Sequence, residues 1–191
     1  KIFVVGAGFD TRPYRLGGGE WVEFDQPALL AVKNKLLPVS DCPMPLLRTG
    51  VDFVREHLAN KLVLHAGTPD ALVILEGVTM YLNDDQKREL FATLQEALPG
   101  HTLICDLMTA HFAEKVALPF RKVLRKLGTD FVPQPQDPKS LAFDARYALE
   151  QRISIIGRAR AFGAISIPGF LFHTVLRKLR DGYAVHVFRA P

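Results

Sequence analysis

Lys1-Ile2-Phe3-Val4-Val5-Gly6-Ala7-Gly8-Phe9-Asp10-Thr11-Arg12 opens the chain, and its reading decides the fold. The four apolar residues Ile2 to Val5 make a run of the length and composition of a strand buried on both faces. Gly6-Ala7-Gly8 follows at once, a turn where backbone can approach a ligand closely. A second run, Trp21-Val22-Glu23-Phe24, ends on Asp25, an acid placed to accept hydrogen bonds from ribose hydroxyls. Strand, glycine turn, strand and terminal acid outline the start of a nucleotide-binding βαβ unit. The third glycine of G-x-G-x-x-G is absent, however, and Thr11 stands in its place. That glycine lets helix and strand pack closely beneath a pyrophosphate. Its loss turns the reading from a dinucleotide toward S-adenosylmethionine, which carries a ribose but no phosphate.

The rest of the chain narrows the classes. A length of 191 residues is that of one domain, residues 1–191, with a sizeable core. The net charge of +4 is mild, and the basic residues are scattered except along Arg121 to Lys126. That run lacks interleaved aromatics and reads as a solvated helix face, so no nucleic-acid partner is expected. Cys42 and Cys105 form neither a disulfide framework nor a metal-ligand spacing, which fits a reducing, cytoplasmic setting. Neither a membrane-spanning run nor a signal peptide is visible, so no membrane partner is expected. No histidine–carboxylate set has metal-ligand spacing, and both the nucleophile elbow G-x-S-x-G and the phosphate loop G-x-x-x-x-G-K-[ST] are missing. Lys1 already lies inside a strand pattern, so an N-terminal segment is expected to precede it.

Strand and helix patterns alternate, which predicts α/β architecture with a mainly parallel sheet and helices on both faces. Strands are expected near Lys1–Val5, Trp21–Phe24, Pro45–Arg48, Ala71–Leu75, Thr102–Leu107, Ala148–Ile155 and Tyr183–Arg189. Asn83 reads as the N-cap of a helix Asp84–Ala97, whose apolar stripe is Leu90, Phe91, Leu94 and Leu98 and whose stop is Pro99-Gly100. Further helices are expected over Ala110–Leu127 and Ile165–Leu179, with a loop over Thr129–Lys139 and a turn at Asp181-Gly182. Periodicity leaves the direction of the last strand open.

Four segments then line up in order: Val4–Arg12, Glu23-Phe24-Asp25-Gln26-Pro27, Val51-Asp52-Phe53, and Leu75-Glu76-Gly77-Val78-Thr79-Met80-Tyr81-Leu82. Together they resemble the leucine carboxyl methyltransferase family, in particular its bacterial branch of polyketide O-methyltransferases. The resemblance covers most of the chain, including the closing strand near Arg180–Val185. It implies a Rossmann-like class I methyltransferase fold: a seven-stranded, mostly parallel sheet whose last strand is antiparallel. It also implies the cofactor S-adenosylmethionine and a small-molecule or carboxylate acceptor. Gly6, Ala7 and Gly8 would then let backbone approach the methionine part of the cofactor, and Asp25 would hold the ribose hydroxyls. Asp52 and Phe53 would flank the adenine, Glu76 would sit beside the methionine end, and Tyr81 would line the acceptor site as the catalytic candidate. The family places basic residues ahead of its first strand on the cofactor carboxylate. Those positions are not in this sequence, and Arg12 is the nearest local basic residue.

Plainer roles compete with each of these. Asp25 is also a strand-end turn residue before Pro27, Asp52 an N-cap for a helix Phe53–Leu58, and Tyr81 a core filler. Asp10 and Thr11 read as organisers of the turn and caps for the helix before Pro13, His111 as a surface helix residue and His173 as a structural histidine. No convincing general base is visible. This favours an acceptor that ionises on its own, a carboxylate or an acidic phenol, over one that must be deprotonated. The expected activity is an S-adenosylmethionine-dependent O-methyltransferase on a carboxyl or hydroxyl group of a small, polyketide-like molecule, or on a protein C-terminal carboxylate. The alternatives are an NAD-dependent oxidoreductase and a non-catalytic domain of the same fold.

Overall fold

The computed structural model describes residues 1–53, 57–65, 70–126, 128–132 and 138–191. Seven strands form one sheet: β1 (Ile2–Val5), β2 (Trp21–Asp25), β3 (Leu46–Gly50), β4 (Leu72–Leu75), β5 (Thr102–Met108), β6 (Ala148–Ser154) and β7 (Tyr183–Arg189). Every boundary falls within two residues of the expected one. The order across the sheet is β3-β2-β1-β4-β5-β7-β6. β3, β2, β1, β4 and β5 pair in parallel, whereas β7 runs antiparallel to both of its neighbours, β5 and β6. The reversed strand is thus the last one, as the resemblance implied. Winding changes direction between β1 and β4, and open α/β sheets bind their ligands at the strand tips beside such a switch.

The apolar runs are continuous because both faces of the sheet are covered. Phe3, Val5, Val22, Phe24, Val73, Leu75, Leu103, Cys105 and Leu107 belong to a core on one face, with Phe91, Leu94 and Leu98 packed against them. On the opposite face Val4 and Ile74 join Trp21 and Ala7, and a separate cluster gathers Met80, Met108, Phe112, Ala113, Leu124 and Phe131. Glu23 lies on that opposite face of β2, fully buried, 2.9 Å from Lys33 Nζ and 2.8 Å from Arg48 Nε. This ionic cluster ties β2 and β3 to the helix that follows Asp25.

Among the described residues the helices are α1 (Arg12–Arg15), α2 (Pro27–Leu36), α3 (Leu58–Leu62), α4 (Asp84–Ala97), α5 (Leu118–Lys126), α6 (Pro138–Asp144), α7 (Ile155–Ala161), α8 (Gly169–His173) and α9 (Arg177–Asp181). α4 has the bounds read from the sequence. Asn83 accepts from Gln86 N at 2.9 Å while Gln86 accepts from Asn83 N at 2.9 Å, a reciprocal capping box.

Several expectations need correction. The helix expected over Ala110–Leu127 begins instead as a π turn, Phe112–Val116, and restarts as α5, with Leu127 outside the described residues. Pro119 lacks the N–H that would continue the ladder through this point. The helix over Ile165–Leu179 is split into α8 and α9, where Thr174 Oγ1 donates back to Phe170 O at 2.6 Å. α6 occupies the end of the expected loop Thr129–Lys139, and residues 133–137 lie outside the described ones. The expected helix Phe53–Leu58 includes residues 54–56, also outside them, and α3 starts at Leu58. α7 was not anticipated.

Candidate functional site

Two clefts open at the strand tips beside the β1–β4 switch, and they share Gly6 and Gly77. The larger, about 780 Å³, is lined on one side by Asp25, Gln26, Phe53 and His57 and on the other by Tyr81, Leu82 and α4 residues such as Gln86 and Leu90. The smaller, about 510 Å³, is charged: Asp10, Arg12, Arg15, Glu76 and Asp106 line it with Gly8 and Tyr183.

The shared floor is backbone. Gly6, Gly8 and Gly77 have φ of 72°, 45° and 71°, conformations in which a β-carbon is strained. At Gly6 a β-carbon would also lie 2.4 Å from Val78 Cγ2, so the turn and the β4 tip close on each other only because the side chain is missing. At Gly8 and Gly77 a β-carbon would meet nothing within 4 Å, which leaves open space above both.

The amides of the turn are spent inside the protein. Gly6 N and Ala7 N donate to Phe24 O at 2.9 and 3.1 Å, and Gly8 N donates to Asp25 Oδ2 at 2.6 Å. Gln26 N holds the other oxygen of Asp25 at 2.7 Å. The Asp25 carboxylate is therefore fixed at the β2 tip, and each of its oxygens keeps a further lone pair for a ligand hydroxyl. A dinucleotide site needs the opposite arrangement, with loop N–H groups and a helix N-terminus aimed at a pyrophosphate. Here the helix after the turn, α1, is a single turn of four residues.

The other residues singled out from the sequence separate between the clefts. Phe53 lines the larger one, whereas Asp52, half-buried, stands outside the lining of both. Tyr81 lines the larger cleft, its ring edge-on to Phe131 at 5.7 Å, and burial raises its phenol above the usual range. Glu76 is not buried: its side chain is 54% exposed and pairs with Arg12 Nη2 at 3.0 Å. Arg12 also grips Asp10, from Nη2 at 2.6 Å and Nε at 2.7 Å. Asp10, rather than Thr11, caps α1, accepting from Arg12 N at 2.8 Å, and Thr11 makes no side-chain cap. His111 is exposed, and the side chain of His173 lies outside the described ones.

Sequence reasoning missed Asp106 and Tyr183. Asp106 is 1% exposed at the end of β5. Its Oδ1 accepts from Gly77 N at 2.9 Å and its Oδ2 from the Tyr183 hydroxyl at 2.5 Å. Burial pushes the Asp106 carboxyl above the ordinary carboxylate range, against the pull of those two donors. Burial and the neighbouring Asp106 charge push the Tyr183 phenol far up as well. The available signal was an acid inside the apolar run Leu103 to Met108, where an acid without partners is costly. Among the described residues no group of three or more His, Cys, Asp or Glu could hold a metal ion, and no helix is long and apolar enough to cross a membrane.

Residues 1–95 match the family model described as leucine carboxyl methyltransferase. Over those residues, just under half of its length, the chain is similar to that family. The match spans the glycine turn, Asp25, Asp52, Phe53, Glu76, Tyr81 and all of β1 to β4. No curated protein matches the chain significantly. Among solved structures the chain is similar to a DUF574 family protein from Streptomyces avermitilis MA-4680 (TM-score 0.67, 14% identity, 100% of this chain and 75% of that one). It is also similar to an O-methyltransferase family protein from Burkholderia thailandensis (TM-score 0.61, 14% identity, 99% and 50%). A third is the N-methyltransferase NodS from Bradyrhizobium japonicum WM9 in complex with S-adenosyl-L-homocysteine (TM-score 0.54, 13% identity, 100% and 77%). The chain thus spans three quarters of the first of these proteins and half of the second. At such identities the likeness is one of fold. Family and fold together are those of S-adenosylmethionine-dependent methyltransferases.

Proposed function

We propose that residues 1–191 act as one O-methyltransferase domain that binds S-adenosylmethionine across the two clefts and methylates a carboxyl or hydroxyl group. The observation that carries the reading is the glycine turn, whose amides are consumed by Phe24 O and Asp25 while Asp25 stays poised at the β2 tip. That combination suits a ribose without an attached phosphate and disfavours the NAD-dependent alternative. In this reading Asp25 holds the ribose hydroxyls, Phe53 lies against the adenine, and Gly6, Gly8 and Gly77 admit the cofactor chain. Asp52, outside the cleft lining, keeps the adenine-side role only through its neighbour Phe53. Glu76 takes the ammonium of the methionine end, and Tyr81 borders the acceptor.

When bound, the cofactor supplies a sulfonium-activated methyl group, so the protein's share is positioning and the exclusion of water. Tyr81, Leu82 and Leu90 supply an apolar wall for that purpose. Arg12 holds Glu76 in place at the mouth of the smaller cleft. The unpaired Cys42 and the buried Cys105 suit a reducing, cytoplasmic location.

The test is calorimetric titration of the purified chain with S-adenosylmethionine, S-adenosylhomocysteine and NAD. Saturable binding of the first two without a response to NAD is the expected result. Binding of NAD alone would return the chain to the dinucleotide class, and binding of none would favour the non-catalytic alternative.

A further inference from the structure

Asp106 and Tyr183 line the charged cleft, yet the reading above gives them no task. They stand on strands that meet only through the antiparallel pairing of β5 with β7, where Met108 faces Tyr183 and Asp106 faces Val185. The two side chains are therefore diagonal neighbours on one face of the sheet, within reach of an aromatic residue. We propose that Tyr183 and Asp106 form a proton relay for a hydroxyl-bearing methyl acceptor, which makes the acceptor an alcohol or phenol rather than a carboxylate. The proposal rests on the methyltransferase reading and deepens it.

Three observations support the relay. The Tyr183 hydroxyl gives its proton inward, to Asp106 Oδ2 at 2.5 Å, which leaves the lone pairs of its oxygen to receive a proton from the cleft. The carboxylate beneath is 1% exposed and braced on its other oxygen by Gly77 N, so it is shielded from water and fixed in direction. Tyr183 also stands close enough to Tyr81 and Glu76 for their charges to act on its phenol, so the pair lies where an acceptor bordered by Tyr81 would meet the methionine end beside Glu76. A carboxylate acceptor there would need no base, whereas a neutral hydroxyl does need one.

The acceptor O–H proton moves to Tyr183 Oη as the Tyr183 proton moves to Asp106 Oδ2. The acceptor oxygen uses the electron pair it has gained to bond the methyl carbon, and the electron pair of the methyl–sulfur bond stays on sulfur. The products are a methyl ether, a neutral thioether and a protonated Asp106. Burial, which holds the Asp106 carboxyl above the ordinary range, strengthens it as a proton acceptor.

The relay can be read without knowing the acceptor. Phenylmethanesulfonyl fluoride modifies a tyrosine oxygen only if the phenol proton can leave: the oxygen–sulfur bond forms, fluoride departs, and here the proton passes to Asp106. Peptide mass mapping near pH 7 is expected to find Tyr183 modified at least tenfold faster in the wild type than in D106N, and this adduct to be missing from Y183F. The charged and titratable groups around the pair are Glu76, Arg12, Arg15, Asp10, Cys105 and Tyr81. In the wild type the rate should level off once Asp106 has lost its proton. A rate climbing tenfold per pH unit up to pH 10, as for an isolated phenol, overturns the relay without recourse to any variant. So does an unmodified Tyr183, or equal rates in folded D106N and wild type. With S-adenosylmethionine and 4-hydroxybenzoate, which offers both groups, the methyl ether is the expected product and the methyl ester overturns the assignment. Calorimetry with S-adenosylhomocysteine separates the two levels. Binding with an unmodified Tyr183 sinks the relay alone, and a working relay without binding sinks the methyltransferase reading.

Discussion

The two clefts share Gly6 and Gly77 but differ in chemistry. The larger sets Phe53, Leu58, Val78, Leu82 and Leu90 among polar side chains such as Gln26, His57, Gln86 and Glu89, with Asp25 at its floor. The smaller is walled by ion pairs, Arg12 with Asp10 and Glu76, above the buried Asp106. One glycine floor thus serves two environments, a larger recess of mixed apolar and polar side chains and a smaller notch walled mainly by charge. On the reading proposed above, strand tips fix where the cofactor lies, while the side chains of the flanking segments decide which part of it each cleft accepts.

The comparison can be broken first at the shared floor. Gly6→Ala places a β-carbon at positive φ and against Val78 Cγ2, so a loss of about 2–4 kcal/mol of stability is expected in denaturant unfolding. A companion Val78→Ala change should restore part of it. Full stability in Gly6→Ala would show that turn and β4 tip are not tightly joined. The next effect separates the clefts. Asp25→Ala should weaken S-adenosylhomocysteine binding by about 1–3 kcal/mol, because a buried, preset acceptor of the larger cleft is lost. Glu76→Ala should weaken it by about 1 kcal/mol, since an exposed, solvent-screened group contributes less, and should leave the unfolding midpoint nearly unchanged. Calorimetry on folded variants reads both, and the reverse order would make the charged cleft the dominant one.

The smallest effect is a change of slope with pH. The Asp106 carboxyl is raised in the folded state, so the folded protein holds this proton more tightly than the unfolded chain does. Its contribution to stability is complete below the ordinary carboxylate pKa and is lost as pH rises through the folded value. Unfolding of wild type and D106N across that interval should therefore show the difference moving in favour of D106N as pH rises. A constant difference would mean that Asp106 titrates as it does in the unfolded chain.

Legibility in the sequence followed the range of the interactions. β1, β2, β4 and α4 were readable because their signals are local: apolar runs buried on both faces, and Asn83 with Gln86 three residues later. Gly6, Ala7, Gly8 and Asp25 were readable for the same reason, since turn and acid belong to one βαβ unit. Phe53 and Tyr81 were placed through the family resemblance, and both line the larger cleft. The Asp106–Tyr183 bond was not readable, because its partners are 77 positions apart and meet only through β7. Nor was the ion pair of Glu76 with Arg12, whose partners lie on separate segments of the chain. The divided helices failed for a different reason: Pro119 and Thr174 act through single backbone bonds that an apolar stripe does not register.

One feature of the sheet bears on how the molecule assembles. β7 lies between β5 and β6, and among the described residues β6 pairs with no other strand. During synthesis β5 and β6 both emerge before the strand that joins them, and each keeps an edge unpaired until Tyr183–Arg189 arrives. The pairing of β5 with β7 spans everything from α5 to α9, and non-local contacts of this kind form late and expose strands meanwhile. Tyr183 is the first residue of the late strand, so the charged cleft gains its last wall only when the sheet is complete. A nascent or partly unfolded chain can therefore have its glycine turn in place while its proton relay does not yet exist.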